Sequence, residues 1–250
     1  MNGLHYNFDW SIAFRRPYSD WLLTGIKITL LLMVATSILS LCLGTLLAVM
    51  RQTRIRLLRW PAGACVEIVR NIPGLFWLLF FYFVFPGMLP LSWGERLNAC
   101  VYYPVVASII ALTVNNSAYV SDIVRAGLLA VPAGQREAAM STGLSRYQQY
   151  LYVLLPQAVR IMLPPLGTRM IHNFKNTSLC MAISAPELTW ATQQIESLTF
   201  RGLEVTALAT GFYCAVALAL GSFVKLFEKR WQARIGNEAP WTNRLYAIPD

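Results

Sequence analysis

Four apolar runs, residues 22–50, 66–89, 101–124 and 203–227, govern what this chain can fold into. A bilayer core about 30 Å thick is crossed by roughly 20 apolar residues in helical form, and each run is long enough. Inside hydrocarbon every backbone N–H and C=O must find its partner within the segment, so runs of this kind fold as helices. A fifth, weaker run lies within residues 163–183, interrupted by Arg169, His172 and Lys175. Upstream of it Pro156, Pro164 and Pro165 are expected to break any continuous helix. The sequence therefore predicts an all-α integral membrane protein with about five transmembrane helices. Charged residues make up only 13% of the chain and hydrophobic ones 56%, against about 25% charged in soluble domains.

The flanking charges orient the bundle. The stretches 51–59 (Arg51, Arg54, Arg56, Arg59) and 125–146 (Arg125, Arg136, Arg146) and the end of the chain (Lys225, Lys229, Arg230, Arg234, Arg244) hold twelve cations. The opposite side holds Arg15, Arg16, Arg96 and Arg201. Cytoplasmic loops carry the Lys/Arg excess, which predicts the N-terminus outside and the C-terminus inside. The chain then divides into an extracytoplasmic segment 1–21, a transmembrane domain 22–230 and a cytoplasmic tail 231–250. Residues 1–20 contain Asp9, Arg15, Arg16 and Asp20 and no apolar core, so no cleavable signal peptide is expected. The net charge of +9 would suit a nucleic-acid binder, but its placement beside apolar runs belongs to membrane topology, and no nucleic-acid partner is expected. Five scattered cysteines form no CxxC pair and read as small apolar residues, with no metal site.

Between the third and fifth runs lies a polar segment, 132–156, assigned to the cytoplasmic side. Val131 to Gly134 turn the chain, and Glu137, Ala138 and Ala139 are expected to begin a short helix. Gly143 ends or bends it, Leu144 follows, and Ser145 is placed to cap a second helix reaching Tyr152. The small residues Ala138 and Ala139 allow close approach, and Glu137 offers a carboxylate to a basic partner. Such a helix could dock in the groove of a soluble protein or lie as an unpartnered amphipathic loop at the interface.

Polar groups within spans are costly and usually line a wet cavity or pair with one another. Asn115, Tyr119 and Asp122 recur at helical spacing, with Asn116 adjoining. Arg169, His172, Asn173 and Asn176 fall on one stripe, Lys175 lies beside it, and Thr177 and Ser178 add hydroxyls one turn on. The stripe suggests a wet path. Asp122 and Arg125, three apart, suggest a local ion pair, and Arg70 is expected to snorkel to the headgroups. Asn115 and Asn116 fit either the path or bonds between helices.

Chemistry of its own is not expected. No G-x4-G-K-[ST] phosphate loop occurs. An intramembrane hydrolase would need a nucleophile beside a base, but Ser178 lies off the face of His172 and no G-x-S-x-G is present. A self-sufficient channel or ion-coupled carrier stays open on these grounds.

The spacing Glu137-Ala138-Ala139, Gly143, Leu155-Pro156 resembles the EAA signature of ABC importer permeases of the polar amino acid type. Arg70 to Pro73, the stretch from Ala118 to Gln135, Leu155 to Leu166, Lys175 to Leu179, and Pro186-Glu187-Leu188 are similar to further motifs of that family, so the resemblance spans about 21–230. It implies a type I ABC importer permease fold in the bacterial inner membrane, forming the path for a polar amino acid. Glu137 through Leu144 would be the coupling helix entering a cleft on an ABC ATPase subunit, two of which hydrolyse ATP, and no cofactor would be bound by this chain. A second permease, identical or paralogous, would complete the cavity, and a solute-binding protein would dock outside, on residues 186–201. Family members that move cationic amino acids are expected to carry an acidic residue where this chain has Asn176. With that site neutral and Arg169 and Lys175 near, an acidic amino acid such as glutamate or aspartate is expected; neutral polar, basic or opine-like substrates are the alternatives.

Overall fold

Small residues decide how the helices meet. The computed structural model describes residues 7–233, and the tail expected over 231–250 lies mostly outside them. The first apolar run extends to a 35-residue helix, α1 (Tyr18–Gln52), whose buried positions are Gly25, Thr29, Leu32, Thr36, Ser40, Gly44 and Ala48. All but Leu32 are small, and most are spaced by four, so one face of α1 lets a second backbone approach closely. That second backbone is α5 (Tyr103–Leu129), the most deeply buried long helix, lined by Ala107, Ser108, Ala111, Ser117, Ala118 and Ser121. A Cβ on Gly44 would lie 2.6 Å from Val120 Cβ and 2.7 Å from the Ser117 carbonyl oxygen. Together α1 and α5 form the axis of the bundle.

The run 66–89 is not one straight span. It divides into α2 (Arg56–Asn71) and α3 (Gly74–Leu79), which continues through wide and tight turns to Met88, and the two halves bend by 107°. The cause is local. Ile72 precedes Pro73 and adopts extended angles, which proline imposes on its predecessor. Trp77 Nε1 spans the break, donating to the Val69 carbonyl at 3.3 Å. A short amphipathic helix, α4 (Leu91–Asn98), then leads to α5.

The polar insert holds α6 (Ala133–Ser141) and α7 (Arg146–Gln148). Contrary to the expectation of a proline break, α7 runs through a π-helical stretch, Gln149–Leu154, straight into α8 (Leu155–Asn176). Pro156 follows directly on the π-helical stretch, inside a continuous helix, so its missing N–H falls where the turns are already widened. The wider π turns lie over the position that the proline ring would otherwise crowd. Pro164 and Pro165 sit inside α8, and Thr168 Oγ1 donates back to the Pro164 carbonyl at 3.2 Å. Helix α8 packs on α5 at Gly127, where an added Cβ would meet Met162 Cβ at 2.9 Å.

After a tight turn over Thr177–Ile183 comes α9 (Leu188–Thr199) and then α10 (Gly202–Ala233). The segment 186–201, expected to be where a solute-binding protein docks, is therefore mostly helix, with Leu188, Ala191, Thr192 and Ile195 buried. By length and composition α1, α5 and α10 can each cross a membrane, and the bent pair α2–α3 makes a fourth. The fifth expected segment is α8, 22 residues long, whose Arg160, Arg169, His172 and Lys175 lower its hydropathy.

Glu187 caps α9 from a fully buried position. Its carboxylate accepts from the backbone N–H groups of Thr189 at 2.9 Å and Trp190 at 2.8 Å, and from the Tyr213 hydroxyl at 2.9 Å. Removing a cap costs about 1 kcal/mol, and the Tyr213 hydroxyl loses its shorter hydrogen bond, keeping only the 3.4 Å contact with Thr189 Oγ1, which adds about 1 kcal/mol. Glu187→Ala is therefore expected to lower the thermal midpoint in detergent by several degrees, and Glu187→Gln to recover most of it.

At the other end of α9 a knot fixes the start of the chain. The turn Trp10–Phe14 inserts Ile12 against Ile195 and Val205. Buried Glu204 accepts from the Asp9 backbone N–H at 2.9 Å, and Arg201 reaches both Glu204 and the Asn7 carbonyl. The Ser11 hydroxyl hydrogen bond, with the Arg15 guanidinium, holds the Asp9 carboxyl below its ordinary range.

Candidate functional site

The segment 132–156 begins three residues after α5. Pro132, with extended ψ, precedes the first turn of α6, so the helix starts at Ala133 rather than at Glu137. Proline fits such a position because its fixed φ and missing N–H cost nothing there. Glu137 and Ala138 lie in mid-helix and are exposed, whereas Ala139 is buried against the bundle. Gly143 takes φ +75°, the left-handed conformation that glycine adopts without strain. Leu144 is half-buried. Ser145 and Gln148 form a reciprocal capping box that starts α7. Met140, Tyr147 and Tyr152 are each more than 60% exposed, so α6, α7 and the π-helical stretch after it carry exposed apolar and aromatic side chains. One polar tie runs back: Gln157 Nε2 on α8 donates to Gln135 Oε1 on α6 at 3.1 Å.

The polar residues of α5 and α8 form a chain of contacts along the bundle axis. Asn116 is buried; its Nδ2 donates to Ser40 Oγ at 2.6 Å, and its Oδ1 accepts from Arg169 Nε at 2.5 Å. The Arg169 guanidinium stands 3.8 Å from the Tyr119 ring centroid, and Arg70 stands 5.9 Å from the same centroid. Asp122 completes the line. Its Oδ1 accepts from Arg51 Nη1 and its Oδ2 pairs with Arg70 Nη1, each at 2.6 Å.

Two expectations are corrected by this line. Asp122 does not pair with Arg125, which is exposed; a long-range pair to two other helices replaces the local one. Arg70 does not reach away to headgroups, because the carboxylate beside it is the stronger attraction.

The polar stripe of α8 divides by exposure. Arg169 turns to α5, and Asn173 is buried, donating to Thr36 Oγ1 at 2.7 Å and Ser37 Oγ at 3.2 Å. Thr177 is buried and donates to the Phe174 carbonyl. Arg169 and Asn173 thus tie α8 to α5 and α1. His172 and Lys175 are exposed and Asn176 is half-buried. Lys175 and Ser178 line a groove of about 510 Å³ with Thr210, Tyr213 and Cys214 of α10. Asn115 is buried beside Gly74, the first residue of α3, away from this groove.

Sequence reasoning missed Thr36, Ser37 and Ser40 on α1, Arg51, and the Gln135–Gln157 tie. A signal for the first three was present: small and hydroxyl residues four apart along α1, the pattern of a close helix contact. The pairing of Arg51 with Asp122, 71 residues apart, leaves no local trace.

A membrane-embedded helical bundle with an exposed capped helix at one end and a line of charged and amide side chains along its axis is the architecture of a transport subunit. Residues 40–233 match the family of binding-protein-dependent transport system inner membrane components, and the chain belongs to that family. It is 33% identical over 224 residues to the glutamine transport system permease protein of Escherichia coli K12, covering 89% of this chain and 97% of the relative. It is 32% identical over 225 residues to the glutamate/aspartate import permease protein of Escherichia coli O6:H1, covering 90% and 99%. Among solved structures, a chain from an amino acid ABC transporter crystallised with histidines superposes with a TM-score of 0.79 at 29% identity, covering 90% of this chain and all of that one.

Proposed function

We propose that this chain is the permease subunit of an ATP-driven amino acid importer and that its substrate carries an acidic side chain. The class rests on the family and on relatives that match along nearly their whole length. In this reading ATP is hydrolysed by separate ATPase subunits that grip α6 inside, and a solute-binding protein delivers the amino acid at the α9–α10 end outside. The chain pairs with a second permease, identical or paralogous. The surface of α10 suits that pairing: Ala207, Gly211, Ala215 and Ala219 recur every fourth residue and all are exposed, a pattern that lets two helices approach closely.

The observation that carries the substrate class is Arg169. Its guanidinium lies mostly inside the bundle, its hydrogen bond goes to a neutral amide, and among the described residues it has no carboxylate partner. Every amino acid brings an α-carboxylate and an α-ammonium, so a half-buried cation of this kind discriminates by the side chain, favouring a second carboxylate over a second ammonium. Lys175 in the groove adds a second positive charge. The glutamine permeases among the relatives favour a second reading, a neutral side-chain amide. Competition for ATP-driven uptake in proteoliposomes holding permease, ATPase and binding protein separates the readings. Glutamate is expected to displace labelled substrate at least tenfold more effectively than arginine. Preference for arginine would overturn the acidic reading, and preference for glutamine over glutamate would replace it with the second.

A further inference from the structure

We propose that Asp122 is a positioning residue for transport: it clamps the ends of α1 and α2 to the part of α5 that leads into α6, so that a displacement of α6 moves three helices as one body. The proposal rests on the importer reading. Asp122 lies about two turns before the end of α5, and only Ala130, Val131 and Pro132 separate that end from α6. Motion applied to α6 reaches Asp122 through the last two turns of α5.

The geometry of the clamp is specific. Each oxygen of one carboxylate takes a guanidinium from a different helix, Arg51 in the last turn of α1 and Arg70 in the last turn of α2. Arg51 also reaches the Ser121 hydroxyl at 3.3 Å and is only 10% exposed in its side chain. Helix α2 depends on this anchor more than the others. It bends 107° away from α3, its cations Arg56 and Arg59 are exposed, and its buried face is limited to Ala62, Val66 and Val69. Glu67 is the other acid near Arg70, at 4.0 Å, but it belongs to α2 itself and cannot join helices. One turn up α5, Tyr119 meets both Arg70 and Arg169, which extends the connection to α8. Removing the carboxylate leaves two partly buried guanidinium groups without their partner and disconnects α5 from α1 and α2 at the end where force enters.

The test uses the reconstituted complex of permease, ATPase and binding protein, reading amino acid taken up per ATP hydrolysed. That ratio is insensitive to the amount of folded complex, so a purely structural role does not move it. Asp122→Asn is expected to lower the ratio at least tenfold while binding-protein-stimulated hydrolysis persists, and Asp122→Glu to restore at least half of it. If Asp122→Asn fails to assemble, Arg70→Met decides, because it leaves the Arg51 pair intact: a ratio reduced severalfold supports the clamp. An unchanged ratio in whichever variant assembles overturns it. Where the wild-type complex itself shows no ATP-driven uptake, the importer reading falls and the clamp with it; where wild type transports and the variants match it, the clamp alone falls.

Discussion

Gly44→Leu will leave at least tenfold less folded protein in the membrane than the wild-type chain. At Gly44 the α1 and α5 backbones meet with no room for a side chain: an added Cβ stands 2.6 Å from Val120 Cβ and Cγ1 and 2.7 Å from the Ser117 carbonyl oxygen. Real Cβ contacts do not occur at that distance, and a carbonyl inside a helix cannot turn aside. The helices must separate or slide. Either movement pulls apart the Asn116–Ser40 hydrogen bond one turn away, at 2.6 Å, and the Arg51–Asp122 pair on the other side. Overpacking alone costs about 1–3 kcal/mol, and each buried polar group left unpaired adds about 1–3 kcal/mol. A total of about 3 kcal/mol is about a hundredfold change in the ratio of folded to unfolded chain. Size-exclusion profiles of detergent extracts measure it. Gly63→Leu is the control: nothing lies within 4 Å of its added Cβ, so its profile should match wild type. Equal yields from the two variants would show that α1 and α5 do not pack as described.

The contrast between those two glycines shows what sequence can and cannot disclose. Both read alike along the chain. The spans were legible because hydropathy is a local property, and the runs 22–50, 101–124 and 203–227 became α1, α5 and α10 with ends shifted by a few residues. The Gly143 bend and the Ser145 cap were legible because turn and cap chemistry lies within three or four residues. Proline was read too strictly. Pro73 did break its run, with an extended residue before it, while Pro164 and Pro165 stayed inside α8, because in a packed bundle neighbouring groups compensate a missing N–H. The charges were the least legible part. Arg70, Asp122 and Arg169 each had a reasonable local reading, and in the structure each is satisfied by a residue at least 50 positions away. The α8 stripe illustrates the limit: periodicity put Arg169, His172, Asn173 and Asn176 on one face, but a helix face wider than one contact is shared between a neighbour and a groove.

Glu137→Lys will abolish ATP-driven uptake, by tenfold or more, without changing the stability of the permease. The second half of this prediction follows from α6 alone. Glu137 is exposed, and among the described residues no hydrogen bond or ion pair holds it. Reversing its charge therefore breaks nothing within the chain, and surface substitutions of this kind usually change stability by about 0.5 kcal/mol or less. The first half depends on what α6 meets. Its inner side is committed, with Ala139 buried and Gln135 tied to Gln157. Its outer side presents Glu137 and Ala138 beside Met140, a carboxylate set in an apolar surface that the capped turn at Gly143–Ser145 holds in place. Opposed charges placed together at a docking surface steer and fix the partner, while like charges there cost several kcal/mol. In the proposed importer, an ATPase cleft that meets Glu137 with a basic group should lose affinity by more than tenfold. The measurement is co-purification of ATPase with permease, alongside uptake. The variant should purify as folded permease stripped of ATPase, and reversing a basic cleft residue on the ATPase to glutamate should restore binding. Normal uptake by Glu137→Lys would mean that α6 receives no force, the result a channel or ion-coupled carrier would give.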